Sequence, residues 1–162
     1  MKDFLRKKIS PRPGDIVTLE GDIVGRHDGL DAYTIGQRQG IQVSKDQHAW
    51  YVAAKDIANN RLIIVPHREH PALYTKEAII HDITWCATNP CQATQSAPVE
   101  VAIRYRQAPV KASIEPMAHP TFQAHRLTFS EPVWALAPGQ SAVLYQGDEC
   151  LGGGFLSLFT VS

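Results

Sequence analysis

Short stretches in which apolar and polar residues alternate cover most of the 162-residue chain. Such stretches, rich in Val, Ile, Tyr and Thr and bounded by Gly, Pro, Asn or Asp, are typical of β-strands. No helical period continues for three turns, and only residues 2–9 and one turn near 69–74 have a helix-like pattern. The predicted strands are 15–20, 22–26, 49–56, 61–66, 77–85, 98–107, 109–116, 123–130, 140–146 and 153–161.

This pattern predicts an all-β protein made of two small domains. Ten short strands in a chain of this length are typical of small barrels or sandwiches. Asn59-Asn60 and Gly147-Asp148 lie between predicted strands, as the turns of hairpins would. The segment PALYTK at 71–76 separates an early cluster of strands from a longer later one. We therefore expect one domain over residues 1–75 and a second over residues 76–162.

Composition adds that the protein is globular, with 44% hydrophobic and 20% charged residues. Lys+Arg and Asp+Glu both number 16, so the whole-chain charge neither favours nor excludes nucleic acid. Residues 1–12 and 104–111 are locally basic, which is the pattern expected of phosphate contacts. No apolar run approaches the ~20 residues that span a bilayer, and MKDFLRKKIS lacks the apolar core of a signal peptide. We therefore expect a cytoplasmic protein.

The stretch DECLGGGFL at 148–156 raises the question of a nucleophile beside a phosphate-binding loop. No Lys follows the glycines, so the P-loop spacing fails, and the spacing of dinucleotide-binding loops fails as well. Acidic neighbours at Asp148 and Glu149 disfavour a thiolate at Cys150. We interpret the stretch as a glycine-rich bend or bulge leading into the last strand, with Cys150 as a buried, unreactive thiol.

A metal site is the other chemistry that the cysteines suggest. Cys86, Cys91 and Cys150 are too few for a disulfide framework. His81 lies near Cys86 and Cys91, but the x4 spacing of that cysteine pair is at the edge of the zinc range, and the sequence has no second pair. We therefore predict no metal site, and a loop that holds two free thiols.

Two polar motifs are candidates for binding. In a strand over AIRYRQ, 102–107, Arg104 and Arg106 would share one face, where guanidinium groups suit phosphate. Tyr105 would stack on an unpaired base if it reached the surface, and would otherwise be a core residue beside a solvated strand face. DAYTIGQRQGI, 31–41, predicts a polar loop between two glycines, either a specific contact loop or an ordinary connection.

Taken in order, four segments resemble the tRNA-specific 2-thiouridylases (MnmA/TrmU). They are GDIVGRHDGLDAYTIGQRQGI, AWYVAAKDIANNRLIIV, IRYRQAPVKASI and APGQSAVLYQGDECLGGG. The resemblance extends from DFL at 3–5 to Gly154. It implies the central domain of that family followed by its C-terminal β-barrel, which is similar to domain 2 of elongation factor Tu. This agrees with the two β-domains predicted from the strand pattern.

The resemblance also implies a role in tRNA modification. Members of the family are cytoplasmic enzymes that activate wobble uridine 34 of tRNA with ATP and then insert persulfide sulfur to give 2-thiouridine. Their ATP-binding PP-loop domain and both catalytic cysteines have no counterpart in this sequence, which starts at the family's Asp-Phe-Leu. We therefore expect no catalytic residue and no cofactor in this chain, and no activity without the rest of the parent enzyme.

What the resemblance leaves to this chain is contact with tRNA. The Arg-Tyr of RYRQ and the Gln of PGQ touch tRNA in the family, and they correspond to Arg104, Tyr105 and Gln140. The implied partners are tRNA, the PP-loop domain in cis or in trans, and a sulfur-relay donor protein, with no membrane. Because few contacts are present, binding by this piece alone should be weak and sensitive to salt. Secondary candidates for tRNA contact are Arg106, Gln37 and Arg38.

Two other functions stay open on the sequence. A free-standing β-barrel adaptor would dock on a separate PP-loop subunit or another protein, and an exposed apolar patch would favour it. An independent metal- or thiol-dependent enzyme would use His81 or the cysteines, and bound zinc would favour it.

Overall fold

The computed structural model describes residues 12–41, 43, 49–91, 95–118 and 123–158. This part of the chain forms ten strands and two 3-10 turns, at Leu30–Ala32 and Pro71–Leu73. None of its helices is long and apolar enough to cross a membrane. The strands are β1 Gly14–Thr18, β2 Ile23–His27, β3 Tyr51–Asp56, β4 Arg61–Val65, β5 Tyr74–Trp85, β6 Ala97–Ala102, β7 Val110–Met117, β8 Ala124–Trp134, β9 Ser141–Gln146 and β10 Glu149–Ser157.

The all-β prediction is confirmed, and each of the ten predicted strands has an observed counterpart. The helical turn predicted near 69–74 is present as Pro71–Leu73, and both predicted hairpin turns join antiparallel strands. The helix-like stretch 2–9, the basic residues before Arg12 and the end of the predicted strand 153–161 lie outside the described residues. The chain divides into two units, and the boundary in the sequence lies between Tyr74 and Thr75.

One strand prediction is wrong, and the error affects the candidate site. The strand predicted over 98–107 ends at Ala102, and β7 begins at Val110. Val101 pairs with Val110 across the hairpin, so residues 103–109 form its loop. Two strands separated by residue 108 alone could not have reversed direction, because a hairpin needs at least two loop residues.

The first unit contains a four-stranded sheet in the order β2-β1-β4-β3. β1 and β4 pair in parallel, whereas β1 with β2 and β3 with β4 pair antiparallel. One face of this sheet buries apolar side chains from three strands. Tyr33, which follows the 3-10 turn Leu30–Ala32 between β2 and β3, packs against them. The buried strand residues of this core are Ile16, Val52, Leu62 and Ile64.

The second unit is a closed barrel in the order β10-β5-β8-β7-β6-β9. Each of its six strands contributes a fully buried aliphatic side chain to one core, as strand alternation requires of inward-facing positions. These residues are Ile80, Val101, Ile114, Leu127, Leu144 and Leu156.

The antiparallel order of the barrel places two loops at the same end. β6 and β8 finish at this end, and β7 and β9 begin there, because β6 pairs antiparallel with both β7 and β9, and β7 pairs antiparallel with β8. The loop 103–109 and the loop 135–140 therefore emerge side by side.

The glycines of β10 allow the barrel to close. Gly152 has φ +150°, and a Cβ there would collide with the carbonyl oxygen of Thr84 on β5. A Cβ on Gly153 would lie 2.9 Å from the carbonyl oxygen of Ala142 on β9. β10 also carries bulges against both neighbouring strands. The interpretation of the glycine run as a bulged last strand is confirmed.

We predict that Gly152→Ala lowers the free energy of unfolding by more than about 2 kcal/mol, because the new methyl group meets β5 backbone that cannot move freely. Gly147→Ala is the matched control. Gly147 has a positive φ of 58° but open space around it, so only backbone strain of about 1 kcal/mol is expected. Urea unfolding of both variants tests the difference, and equal losses would show that close strand approach is not limiting.

Candidate functional site

The RYRQ motif forms a turn at the end of the barrel rather than the end of a strand. The backbone N–H of Gln107 donates to the carbonyl of Arg104 at 3.3 Å, and Arg106 has φ 64°. Arg104 and Arg106 therefore do not share a strand face, and that prediction is wrong. The alternation of residue types continues through the motif, but the chain has already left the sheet.

Arg104 binds the protein itself. Its Nη2 donates to the carbonyl of Trp134 at 3.1 Å and to that of Ala135 at 2.7 Å. Its guanidinium carbon lies 5.2 Å from the centre of the Trp134 ring, within the range of a cation–π contact. The side chain is half-buried, so it anchors the turn to the end of β8.

Tyr105 and Arg106 project from this anchored turn. The Tyr105 side chain is 88% exposed, so it is not a core residue. The Arg106 guanidinium lies 5.1 Å from the centre of the Tyr105 ring and is exposed as well. An aromatic face and a planar cation thus stand together on the surface, the combination that suits a base and its phosphate.

Gln140 closes the neighbouring turn. Its Oε1 accepts the N–H of Ala137 at 3.0 Å, and its own N–H donates to the carbonyl of Ala137 at 3.2 Å. Because a backbone N–H can only donate, the carboxamide oxygen must face it, and the NH2 group is left at the other end of the amide. Hydrogen bonds between Leu156 and the Gly139-Gln140 backbone hold this turn against β10.

The structure brings the two barrel motifs together. The carbonyls that Arg104 binds belong to Trp134 and Ala135, which directly precede the turn of Gln140. Arg104 therefore links the loop of Tyr105 to the loop of Gln140, although the motifs are separated by more than thirty positions in the sequence.

Gln37 stabilises the loop around Gly36-Gln37-Arg38 in the first unit through hydrogen bonds of its side chain and backbone. Its Oε1 accepts the N–H of Thr34 at 3.0 Å, and its Nε2 donates to the carbonyl of Gln39 at 2.7 Å. Its backbone carbonyl also accepts the N–H of Val52 on β3 at 3.0 Å. Gln37 thus shapes the loop, whereas the side chain of Arg38 is exposed.

The three cysteines differ in environment. Cys91 is buried and its Sγ donates to the carbonyl of Ile114 at 3.3 Å. Burial raises the pKa of the Cys91 thiol, and the negative charge of Glu115 raises it further. Cys86 and Cys150 are exposed. The prediction that Cys150 is buried is wrong, because the bulge at Cys150/Gly152 leaves Leu151 facing the core and Cys150 facing solvent.

Metal ligands do not converge in the described ranges. All three cysteines are free thiols. Within the described ranges, no group of three or more His, Cys, Asp and Glu side chains could hold a metal ion.

Sequence reasoning missed a hydrogen-bonded group that joins β5 to β10. His81 Nδ1 lies 2.9 Å from Asp82 Oδ2, and His81 Nε2 lies 3.1 Å from Ser157 Oγ. The carboxylate accepts, so Nδ1 carries the proton and Nε2 faces the hydroxyl. Asp82 is 62% exposed and so is screened by water, which suits a link between strands better than an activated nucleophile. The pair Ser157 and His81 is far apart in sequence and gives no local signal.

Comparison with known proteins finds relatives over nearly the whole chain. Residues 2–66 match a family model described as a tRNA methyl transferase PRC-barrel domain. Residues 75–156, about half of the chain, match a model described as an aminomethyltransferase beta-barrel domain.

Among curated proteins, the tRNA-specific 2-thiouridylase MnmA of Actinobacillus succinogenes is 42% identical over 159 residues, 96% of this chain and 40% of that protein. The protein of the same name from Cupriavidus taiwanensis is 44% identical over 159 residues, 96% of this chain and 43% of its own length. The protein of that name from Haemophilus influenzae is 41% identical over 160 residues, which are 96% of this chain and 40% of that protein. The chain spans about two fifths of the length of these relatives.

We predict that Arg104→Ala lowers the free energy of unfolding by about 1.5–3 kcal/mol, the usual worth of hydrogen bonds to a charged group. Arg104→Lys should recover only part of the free energy of unfolding that Arg104→Ala loses, because an ammonium lacks the planar fork of a guanidinium. Arg106→Ala removes the same charge from an exposed position and should stay within about 0.5 kcal/mol of the unchanged protein. Urea unfolding measures all three, and equal effects of Arg104→Ala and Arg106→Ala would contradict the anchor.

We predict that Cys91 reacts with iodoacetamide at least about 10-fold more slowly than Cys86 and Cys150, because the thiolate is the reactive species and Cys91 is buried with a raised pKa. The rate at Cys91 should also rise at higher pH than that of an ordinary thiol. Pulse labelling with peptide mass analysis measures each rate. In denaturant the three rates should become similar, and a fast Cys91 in the folded protein would contradict its burial.

Proposed function

The chain belongs to the tRNA-specific 2-thiouridylase family, and from this premise we propose that it is the tRNA-binding part of an enzyme that thiolates wobble uridine 34. The supporting observation is the exposed Tyr105-Arg106 pair on a turn that Arg104 holds in place. ATP activation and sulfur transfer are assigned to the rest of such an enzyme. A PP-loop domain, in cis or in trans, supplies ATP binding and both thiols, and a sulfur-relay protein supplies the sulfur.

Tyr105 is the stacking residue of this proposal. Proteins read single-stranded RNA by stacking unpaired bases on exposed aromatic rings. The ring of Tyr105 is exposed to the degree that such stacking needs, and Arg106 lies beside it to meet a phosphate or a second base plane.

Arg104 acts as a positioning residue. Its bonds to the carbonyls of Trp134 and Ala135 fix the turn before RNA arrives. A fixed turn loses less conformational entropy on binding than a mobile one, so the anchor increases affinity without touching the ligand.

Gln140 supplies a hydrogen-bond donor at the same barrel end. The Gln140 Oε1 accepts the backbone N–H of Ala137, so the NH2 group at the other end of the amide faces away from that backbone and can donate to a ligand. On the first unit, Arg38 is the contact residue and Gln37 shapes its loop.

The test is a fluorescence anisotropy titration of unmodified tRNA with the chain at ~50 and ~200 mM salt, since phosphate contacts predict steep salt dependence. Tyr105→Ala should weaken binding by about 1–3 kcal/mol, the worth of one stacked base. Tyr105→Phe keeps the ring and is the matched control, so it should bind like the unchanged protein. Arg106→Ala should lower the salt slope by about 1.

Three outcomes would count against the proposal. The first is no tRNA binding by the unchanged chain at low salt. The second is equal binding by Tyr105→Ala and Tyr105→Phe. The third is that Arg106→Ala leaves the salt dependence of tRNA affinity unchanged, although all variants have the same free energy of unfolding as the unchanged protein.

A further inference from the structure

The first unit contains a cavity of about 720 Å³, remote in sequence from the RYRQ and PGQ motifs. It lies beside the turn between β3 and β4 and the segment that precedes β1. Its lining includes two cations, one carboxylate, one amide and two large aliphatic side chains. They are Arg12, Lys55, Asp31, Asn60, Leu30 and Ile57.

Lys55 is the unusual member of this lining. It is half-buried on β3, and burial lowers the pKa of its ammonium because the charged form loses water. The charge of Asp31 opposes this effect in part. Among the residues described, none makes an ion pair with Lys55 within 4.0 Å. A partly desolvated cation without a close anion is costly, so an anionic ligand would relieve the cost.

Asn60 holds another part of the lining in place. Its Nδ2 donates to the carbonyl of Pro13 at 2.9 Å and to that of Arg12 at 3.4 Å. Gly14 permits this approach, since a Cβ there would collide with the backbone and side chain of Asn60. The backbone of Arg12 is therefore fixed against the β3–β4 turn.

The turn itself is rigid. Asp56 Oδ1 accepts the N–H of Asn59 at 3.0 Å, and Asp56 Oδ2 accepts the Asn59 side-chain amide at 2.8 Å. These bonds lower the pKa of Asp56. The nearest carboxylate in sequence thus serves to close the β3–β4 turn.

The arrangement points to a phosphate with a sugar beside it. Arg12 and Lys55 are positive, whereas Asp31 can only accept hydrogen bonds when ionised, as a ribose 2′-hydroxyl requires. Ile57 is 81% exposed at the cavity, where a ligand that extends out of it would cover the side chain. A polymer meets that condition better than a free nucleotide.

We propose that this cavity binds one phosphate of an RNA backbone through Arg12 and Lys55, with Asp31 accepting the neighbouring 2′-hydroxyl. The inference rests on the proposed tRNA binding and adds to the first unit a contact region whose lining does not include Arg38.

Neutral variants test the cavity in tRNA titrations by anisotropy at ~50 and ~200 mM salt. Arg12→Gln and Lys55→Gln should each weaken binding about 3- to 10-fold at the lower salt and reduce the salt slope by about 0.7–0.9. Lys55→Arg should keep most of the affinity. Arg26→Gln is the matched control, since Arg26 belongs to the same unit, is 76% exposed and does not line the cavity.

Ligand arms separate the sources of phosphate. An RNA oligonucleotide should bind more tightly than DNA of the same sequence, and Asp31→Ala should reduce that preference. Inorganic phosphate and a mononucleotide should compete only weakly, and strong competition by either would overturn the assignment to an RNA backbone. The urea midpoint of Lys55→Gln should be unchanged or higher, because the variant removes a desolvated charge. A lower midpoint would contradict that description of Lys55.

The outcomes distinguish this inference from the function on which it rests. If Tyr105→Ala weakens tRNA binding while Lys55→Gln and Arg26→Gln behave alike, the cavity site is overturned and the barrel interface stands. If the unchanged chain binds no tRNA, both are overturned.

Discussion

The close approach of β10 to its two neighbours is the constraint on which the barrel depends. Gly152 faces the carbonyl of Thr84 on one side, and Gly153 faces that of Ala142 on the other, at positions where a side chain would separate the strands. The turn of Gln140 is bonded to Leu156 on this same strand, so its position follows from barrel closure. The glycine run thus serves the site by geometry and not by phosphate chemistry, although its composition resembles that of a phosphate loop.

Within the RYRQ motif, Arg104 has a different role from its two neighbours. The Arg104 guanidinium donates to two backbone carbonyls and packs on Trp134, so it stabilises the fold. The neighbouring Tyr105 and Arg106 are exposed. The anchor lies between two loops at one barrel end, so its loss would change both. For this reason a loss of RNA binding in an Arg104 variant would not by itself show a direct contact, and unfolding measurements are needed beside it.

The strand pattern predicted the fold well because alternation and turn residues are local signals. It failed at the RYRQ motif, where alternation continues into a turn and Arg106 adopts φ 64° without a glycine to indicate it. The prediction of a buried Cys150 was drawn from its acidic neighbours rather than from alternation, and it was wrong because a bulge leaves this residue facing solvent. The Arg104 anchor and the cavity were beyond reach from sequence, since each depends on residues about thirty or more positions apart that only the folded sheets bring together.

The barrel end with Tyr105 and the cavity with Lys55 differ in electrostatics. The cation beside Tyr105 is exposed, so each contact there is weak and screened by salt. Lys55 is half-buried, where the effective dielectric is lower and an anion is attracted more strongly. The adjacent carboxylate, Asp56, bonds to Asn59 and closes the β3–β4 turn. A partly desolvated cation that has no ion pair within 4.0 Å among the described residues costs stability, and such a cost is characteristic of binding sites, where an anionic ligand would recover it.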